Sequence, residues 1–337
     1  MKLGDAFPEE IRRLVSAEKY VAELKPNEEI KLPFRVASKR LQYTRDNKPY
    51  LLMTLADKTG EIRAIDWHNA VYNNNRLRIG EVIEVCGKVV VYEDRLQIVI
   101  DADRDAIRMM DLEEVDSSRF LERTEYDTEK LFAELLRYKA KVKNRFLRNL
   151  LDTMLLDSHI KKAFMEAPAA AKVHHAYVGG LLEHTVFVTR LVLKVCEIYQ
   201  DLDKDLLITA AILHDIGKIK SYEISPAGVD HTDDGQLVGH IVMGIQMLME
   251  KIGDIQDFPR ELVLKLEHMV VSHHGELEFG SPVIPKTKEA LVLHMLDDLD
   301  SKIAQLRRIE SSAQAESAWS DYDRFLGRKI YLGREEE

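Results

Sequence analysis

From Lys204 to Lys218 the chain reads KDLLITAAILHDIGK. Leucine, isoleucine and alanine dominate this stretch, and no glycine or proline interrupts it before Gly217, so it predicts a helix. Two residues break its apolar character. His214 shares a face with Leu207, Ala210 and Ala211, and Asp215 follows Ile208 and Ala211. An imidazole and a carboxylate buried without partners cost several kcal/mol each. One such pair is not decisive, because a single inward histidine is usually a hydrogen-bonded core residue.

The same anomaly recurs on four further predicted helices, Leu181 to Tyr199, His240 to Ile252, Glu261 to His274 and Lys288 to Arg308. His184 lies with Val188, Leu191 and Val195. His240 precedes Gly244 and Met247. His273, with His274 beside it, follows Leu266, Met269 and Val270. Asp297 sits with Ala290, Leu293, Ser301 and Ala304. Five helices would each need an unrelated reason to bury such a group, whereas one shared divalent metal centre explains them all. Imidazole and carboxylate donors without thiolate suit manganese, iron, cobalt or nickel, and zinc less exclusively.

The region before residue 110 has a different period. Apolar and polar residues alternate over Ile30 to Ser38, Tyr50 to Ala56, Glu61 to Trp67, Val82 to Tyr92 and Leu96 to Asp101, the signature of half-buried strands. Asn69 to Leu77 is long enough for a short helix. Five strands with one helix between the third and fourth is the order of an OB-fold barrel. The expected architecture is therefore multidomain: an N-terminal all-β OB-fold barrel over 1–110 with a helical segment at its start, an acidic linker over 111–127, and an all-α bundle over 128–337. The bundle would open on one long amphipathic helix. Leu131, Leu135, Tyr138, Val142 and Phe146 would line its inner face, and Lys139, Lys141, Lys143 and Arg145 its outer face.

Composition narrows the function classes. The 337 residues are 45% hydrophobic and 31% charged, as in ordinary globular chains. No apolar run approaches the ~20 residues of a membrane span, and the charged N-terminus lacks the apolar stretch of a signal peptide. Cys86 and Cys196 are the only cysteines, too few for a disulfide framework, which points to a reducing cytoplasm. The formal net charge of -10 argues against nucleic acid as a partner, but it is unevenly spread. Lys31 to Asp101 holds 12 Lys+Arg against 9 Asp+Glu, and Lys130 to Arg148 holds 7 against 1. Local fields govern a ligand that touches one face.

The ordered set His184, His214-Asp215, His240, His273-His274, Asp297 resembles the HD-domain phosphohydrolases. So do the words Gly-Gly-Leu-Leu-Glu-His-Thr at 179–185, Leu-His-Asp-Ile-Gly-Lys at 213–218 and Asp-Asp-Leu-Asp at 297–300. The resemblance implies that His184, His214, Asp215 and Asp297 hold one metal and that His240, His273 and His274 add a second. Asp298 and Asp300 compete with Asp297; Asp297 fits the family spacing, and Asp300, one turn on, is expected to support a ligand. With a barrel in front and Ser-His-His-Gly at 272–275, the chain is similar to the YhaM-type 3′→5′ exoribonucleases. The implied activity is metal-dependent 3′→5′ hydrolysis of single-stranded RNA, with DNA open, by a metal-activated hydroxide. Asp215 would be central, and Lys218 would contact a phosphate oxygen. Two metals per chain are expected, manganese, cobalt or iron ahead of zinc and nickel.

On the barrel, Tyr43, Tyr50, Trp67 and Tyr92 are candidate base-stacking groups. Lys39, Arg40, Arg45 and Arg63 are candidate phosphate contacts, with Tyr43 and Arg45 beside a turn foremost. A rival explanation for Trp67 is that it plugs the barrel. The partner expected is single-stranded nucleic acid, RNA ahead of DNA, with no membrane; self-association is left open. Two alternatives remain. One is an HD phosphohydrolase of nucleotides or cyclic dinucleotides, although the Gly-Tyr-Pro element of the latter is absent after His273-His274. The other is a nucleic-acid-binding protein with an inactive HD domain.

Overall fold

A computed structural model describes residues 19–93, 95–111, 119–170, 175–225, 228–312 and 318–333. These fall into two units, Met1–Glu122 with Ile224–Gly228, and Arg123–Glu223 with Val229–Glu337. The helical segment expected at the N-terminus lies outside the described residues, apart from a 3₁₀ turn at Val21–Glu23.

In the first unit β1 (Glu29–Tyr43), β2 (Pro49–Asp57), β3 (Gly60–Asp66), β4 (Val82–Tyr92) and β5 (Arg95–Ile100) form a closed barrel, with α1 (Ala70–Arg76) between β3 and β4. The strand order is β1-β2-β3-β5-β4, and β4 returns to pair with β1. The long first strand makes closure possible. Glu29 to Arg35 pair with β4, whereas Arg35 to Tyr43 pair with β2, and the register shifts between Val36 and Ser38. Ile30, Leu32, Phe34 and Val36 alternate into the core with Leu51, Met53, Leu55, Val85 and Ile98. This is the OB-fold expected from the strand pattern. A short β6 (Ile107–Met109), absent from that expectation, pairs outside β4 and buries Ile107.

The linker expected over 111–127 is not an open tether where it is described. Arg119, Phe120 and Leu121 are buried. Lys58 N donates to Arg119 O, and Arg119 Nε donates to Pro33 O. On the other side of the boundary Asp127 caps the first helix of the second unit, accepting from Glu129 N and Lys130 N.

That second unit contains α2 (Thr128–Lys139), α3 (Arg145–Leu155), α4 (Ser158–Glu166), α5 (Gly180–Ile198), α6 (Lys204–Leu213) and α7 (Lys218–Ser221). A hairpin of β7 (Tyr222–Ser225) and β8 (Gly228–His231) follows, then α8 (Asp233–Leu237), α9 (His240–Gly253), α10 (Arg260–Ser272) and α11 (Lys288–Ser312). The single long helix expected from Leu131 to Phe146 is two helices. The Asn144 side chain caps α3, and Asp205 accepts from Lys143 N and Asn144 N, which fixes the break. The basic run therefore crosses a helix end, a loop and a new helix, and Lys139 is paired with Asp152. The core gathers Leu135, Leu147, Leu151, Leu181, Val188, Leu207, Leu266 and Leu293 from α2, α3, α5, α6, α10 and α11. Truncating one such leucine to alanine typically costs about 2–5 kcal/mol. No helix of the described residues is long and apolar enough to cross a membrane. Cys86 and Cys196 are both unpaired.

Candidate metal centre

The helix carrying His214 ends at Leu213, earlier than the sequence suggests. His214 to Gly217 form a turn before α7 begins at Lys218. Gly217 is more than a terminator. A β-carbon there would lie 2.0 Å from His240 O and 2.5 Å from Gly244 N, so only glycine lets the start of α9 pack on this turn. That contact brings His240, 25 residues further along, to the His214-Asp215 pair.

The seven expected ligands converge. Three of the histidine rings are held through Nδ1 by a backbone carbonyl. His214 Nδ1 contacts Ala211 O at 2.9 Å, His273 Nδ1 contacts Val270 O at 2.6 Å, and His274 Nδ1 contacts Phe279 O at 2.9 Å. A carbonyl can only accept, so these Nδ1 atoms carry a proton, and in a neutral ring Nε2 is then the atom that presents a lone pair. His184 Nδ1 reaches Asp300 Oδ2 at 2.7 Å in the same sense.

Asp215 stands between two histidine groups. Its Oδ2 lies 3.7 Å from His184 Nε2 and 3.5 Å from His214 Nε2. Its Oδ1 lies 3.5 Å from His240 Nε2 and 3.4 Å from His273 Nε2. Asp297 Oδ1 completes the first group, 3.1 Å from His184 Nε2 and 3.9 Å from His214 Nε2. In the second, His274 packs on His273 and His240 with ring centroids 4.3 Å and 5.1 Å apart. Within each trio, His184-His214-Asp297 and His240-His273-His274, the ligand atoms lie within 4.8 Å of one another.

The fit to a metal rests on what these atoms lack. Asp215 Oδ1, His240 Nε2 and His273 Nε2 are buried and have no hydrogen-bond partner, although they face one another. An unsatisfied buried polar atom costs about 1–3 kcal/mol. Three of them pointing at one space, all nitrogen or oxygen, match the needs of a divalent cation and of little else.

Electrostatics agree. Burial pushes His214 down to about 4 and His274 down to about 4, and holds His240 well below its usual range, so these rings are neutral ligands. Burial also opposes charge on His184, but hydrogen bonds to Asp297 and Asp300 outweigh it and raise that ring to about 10. Burial is likewise overcome at His273 by Asp215, and its pKa rises. Against their own burial, Asp215 is held low first by Lys218, and Asp297 first by its hydrogen bond with His184.

Lys218 Nζ sits 2.6 Å from Asp215 Oδ2 and the side chain is buried, so its ammonium neutralises that carboxylate. His175 was not foreseen: it precedes α5, belongs to no periodic stripe, and touches Asp300 from beneath the centre.

On the barrel, strand pairing sorts the nucleic-acid candidates by face. Arg40, Tyr50, Arg63 and Trp67 share the outer face. Tyr50 and Trp67 lie with ring centroids 4.8 Å apart, and Trp67 is 45% exposed, so it does not plug the barrel. Arg63, Tyr92, Arg95 and Gln97 line a groove of about 750 Å³ on that face. Lys39 and Tyr43 alternate to the opposite face, where Lys39 donates to Asn74 O. Arg45 is exposed in the β1–β2 turn.

Residues 181–302 match the HD domain family, and residues 35–105 match the family described as OB-fold nucleic acid binding domain. Over 281 residues the chain is 32% identical to the 3′-5′ exoribonuclease YhaM of Bacillus velezensis, a match spanning 83% of this chain and 87% of that one. Among solved structures, the second OB-fold domain of replication protein A from Methanococcus maripaludis is 25% identical. It covers 27% of this chain and 93% of its own, with a TM-score of 0.22. The replication factor A related protein from Methanobacterium thermoautotrophicum is 24% identical, covering 28% and 90%, with a TM-score of 0.23. With an HD domain, an OB-fold and 32% identity along most of both chains, this protein belongs to the YhaM exoribonuclease family.

Proposed function

We propose that this chain removes nucleotides from the 3′ end of single-stranded RNA by metal-dependent hydrolysis. The observation that carries the reading is Asp215, whose two oxygens face two separate groups of histidines. His184, His214, Asp215 and Asp297 would hold one divalent metal, and Asp215, His240, His273 and His274 a second, with manganese, cobalt or iron preferred. When bound, such ions supply Lewis-acid charge against a phosphate and make water nucleophilic near neutral pH. The protein's own part is to tie Nδ1 of His214, His273 and His274 to an acceptor, so that Nε2 is the nitrogen left to face a metal, and to keep Asp215 ionised by means of Lys218.

The barrel's role is capture. A tilted Tyr50–Trp67 pair beside Arg40 and Arg63 supports stacking of bases with the backbone held by cations, which tolerates any sequence. The name of the Bacillus velezensis relative, 3′-5′ exoribonuclease, supports RNA and the 3′→5′ direction. A cytoplasmic setting fits two unpaired cysteines. The test is to strip the protein of metal, add 5′-labelled RNA and DNA oligomers, and restore one divalent ion at a time. A ladder that shortens one nucleotide at a time, with RNA faster than DNA, is expected with manganese. Internal cuts, or hydrolysis confined to nucleotides, would reject it.

A further inference from the structure

Behind the His184-His214-Asp297 group lies a buried polar chain that leads away from the reaction space. Thr124 Oγ1 donates to Glu183 Oε2 at 2.5 Å, and Tyr177 Oη donates to the same oxygen at 2.9 Å. The Tyr177 hydroxyl oxygen also lies 2.8 Å from His175 Nδ1. The other ring nitrogen, His175 Nε2, lies 3.1 Å from Asp300 Oδ2. Asp300 Oδ2 also receives His184 Nδ1 at 2.7 Å. An ionised carboxylate can only accept, so His184 Nδ1 and His175 Nε2 are the nitrogens that carry a proton toward it.

The chain holds this arrangement at a cost in backbone freedom. His175 adopts a left-handed φ of 49°, unusual for a residue other than glycine or asparagine. A β-carbon at Gly180 would stand 2.1 Å from His175 O, so the first turn of α5 is built to accept that backbone. Glu183, His184, His175 and Asp300 are all at least nine-tenths buried. It meets the centre at the back of His184.

We infer that Asp300, steadied by His175, is a positioning residue that fixes the proton of His184 on Nδ1 and aims Nε2 at the space shared with His214 and Asp297. The inference rests on the cluster being a metal centre. A neutral imidazole has one proton for two nitrogens, and a ring protonated at Nε2 cannot ligate. Asp300 decides between them. Partners of this kind, behind a ligating histidine, are worth about 10–100-fold in metal affinity. The effect must be confined to the site that uses His184. The group of His240, His273 and His274 takes its ring orientation from elsewhere, with Val270 O and Phe279 O fixing two of its rings.

The experiment is a titration of metal-stripped full-length protein with manganese(II) alone, reading free ion by electron paramagnetic resonance, with the melting temperature of each metal-free variant alongside. For the wild type, two equivalents bind. Asp300→Ala should weaken one equivalent by about 10–100-fold and leave the other near wild type. Asp300→Asn keeps an acceptor for His184 and should lose less. His175→Gln should weaken the same equivalent by a smaller factor, and it decides the matter if Asp300→Ala does not fold. Wild-type affinity in both Asp300→Ala and His175→Gln overturns the inference, as does equal loosening of both equivalents, which would signal general structural damage. If the wild type itself binds no manganese, the metal-centre reading falls first, and the inference with it.

Discussion

Replacing Asp215 by asparagine should destabilise the metal-free helical unit, and removing Lys218 as well should restore it. Lys218 Nζ is 2.6 Å from Asp215 Oδ2, and both residues are almost fully buried, with 7% and 2% exposure. Asparagine keeps the shape but not the charge, so it leaves an ammonium inside the unit without its counter-ion. Breaking a buried pair from one side costs about 3–5 kcal/mol. His184 and His273 would give up part of this by shedding their protons, since their positive charge also leans on Asp215 or its neighbours. A net loss of about 3 kcal/mol is expected, or about 6–12 °C in melting temperature for a unit of this size. Asp215→Asn with Lys218→Met removes both charges and should lie within about 1–2 kcal/mol of wild type, because a well-packed apolar replacement of a buried pair is often neutral. The assay is urea unfolding in excess chelator, followed by circular dichroism at 222 nm. Among the described residues the barrel unit holds one short α-helix, Ala70–Arg76, and the other unit holds ten, so this signal is dominated by the other unit. The reasoning fails if single and double variants unfold at the same urea concentration, because Lys218 would then not depend on Asp215.

Metal uptake should release protons. His184 is raised to about 10 and His273 is raised as well, so at pH 7 a metal displaces their protons, and affinity should fall as pH falls. Calorimetric titration in buffers of different ionisation enthalpy would count them; an enthalpy independent of buffer would contradict this. By the same linkage the metal-free protein should lose the stability that His184 contributes, complete below its unfolded value near 6.5, as pH climbs toward 10. Trp67→Ala should weaken binding of a long single-stranded RNA by about 1–3 kcal/mol, roughly 5- to 150-fold, with hydrolysis of bis-p-nitrophenyl phosphate unchanged. A fall in both would move Trp67 from capture to folding. Glu134, held down to about 2 first by its hydrogen bonds from Arg190, joins α2 to α5. Arg190 is partly open to solvent, so Glu134→Gln should cost only about 1 kcal/mol at pH 7. That difference should be present above pH ~4.5 and vanish as pH approaches 2, which acid-series thermal melts can follow.

How much of this was legible in the sequence depends on whether a feature is local. An α-helix repeats every 3.6 residues whatever it packs against, so placing His184, His214, His240, His273 and Asp297 on apolar stripes needed only spacing. The alternation of β1 to β5 and the place of α1 were readable for the same reason, and so was the order of the barrel. What failed or was missed depends on residues far apart in the chain. The helix expected through Val142 breaks because Asp205, more than 60 residues away, takes the amides of Lys143 and Asn144. Lys39 and Arg40 looked equivalent as phosphate contacts, but pairing shifts register between Val36 and Ser38. Alternation then sends Lys39 to the helix side and Arg40 to the outer face. Spacing put Lys218 on the side of Asp215, and the packed interior adds the 2.6 Å ion pair between them. The sequence by itself determined the ligand types and the two kinds of layer. Only the tertiary structure decided that the two oxygens of Asp215 face different histidine groups, and that His175, on an irregular segment with a left-handed backbone, stands behind Asp300. Periodicity encodes which way a side chain points from its own element; the meeting of elements is set by long-range packing, which no local repeat records.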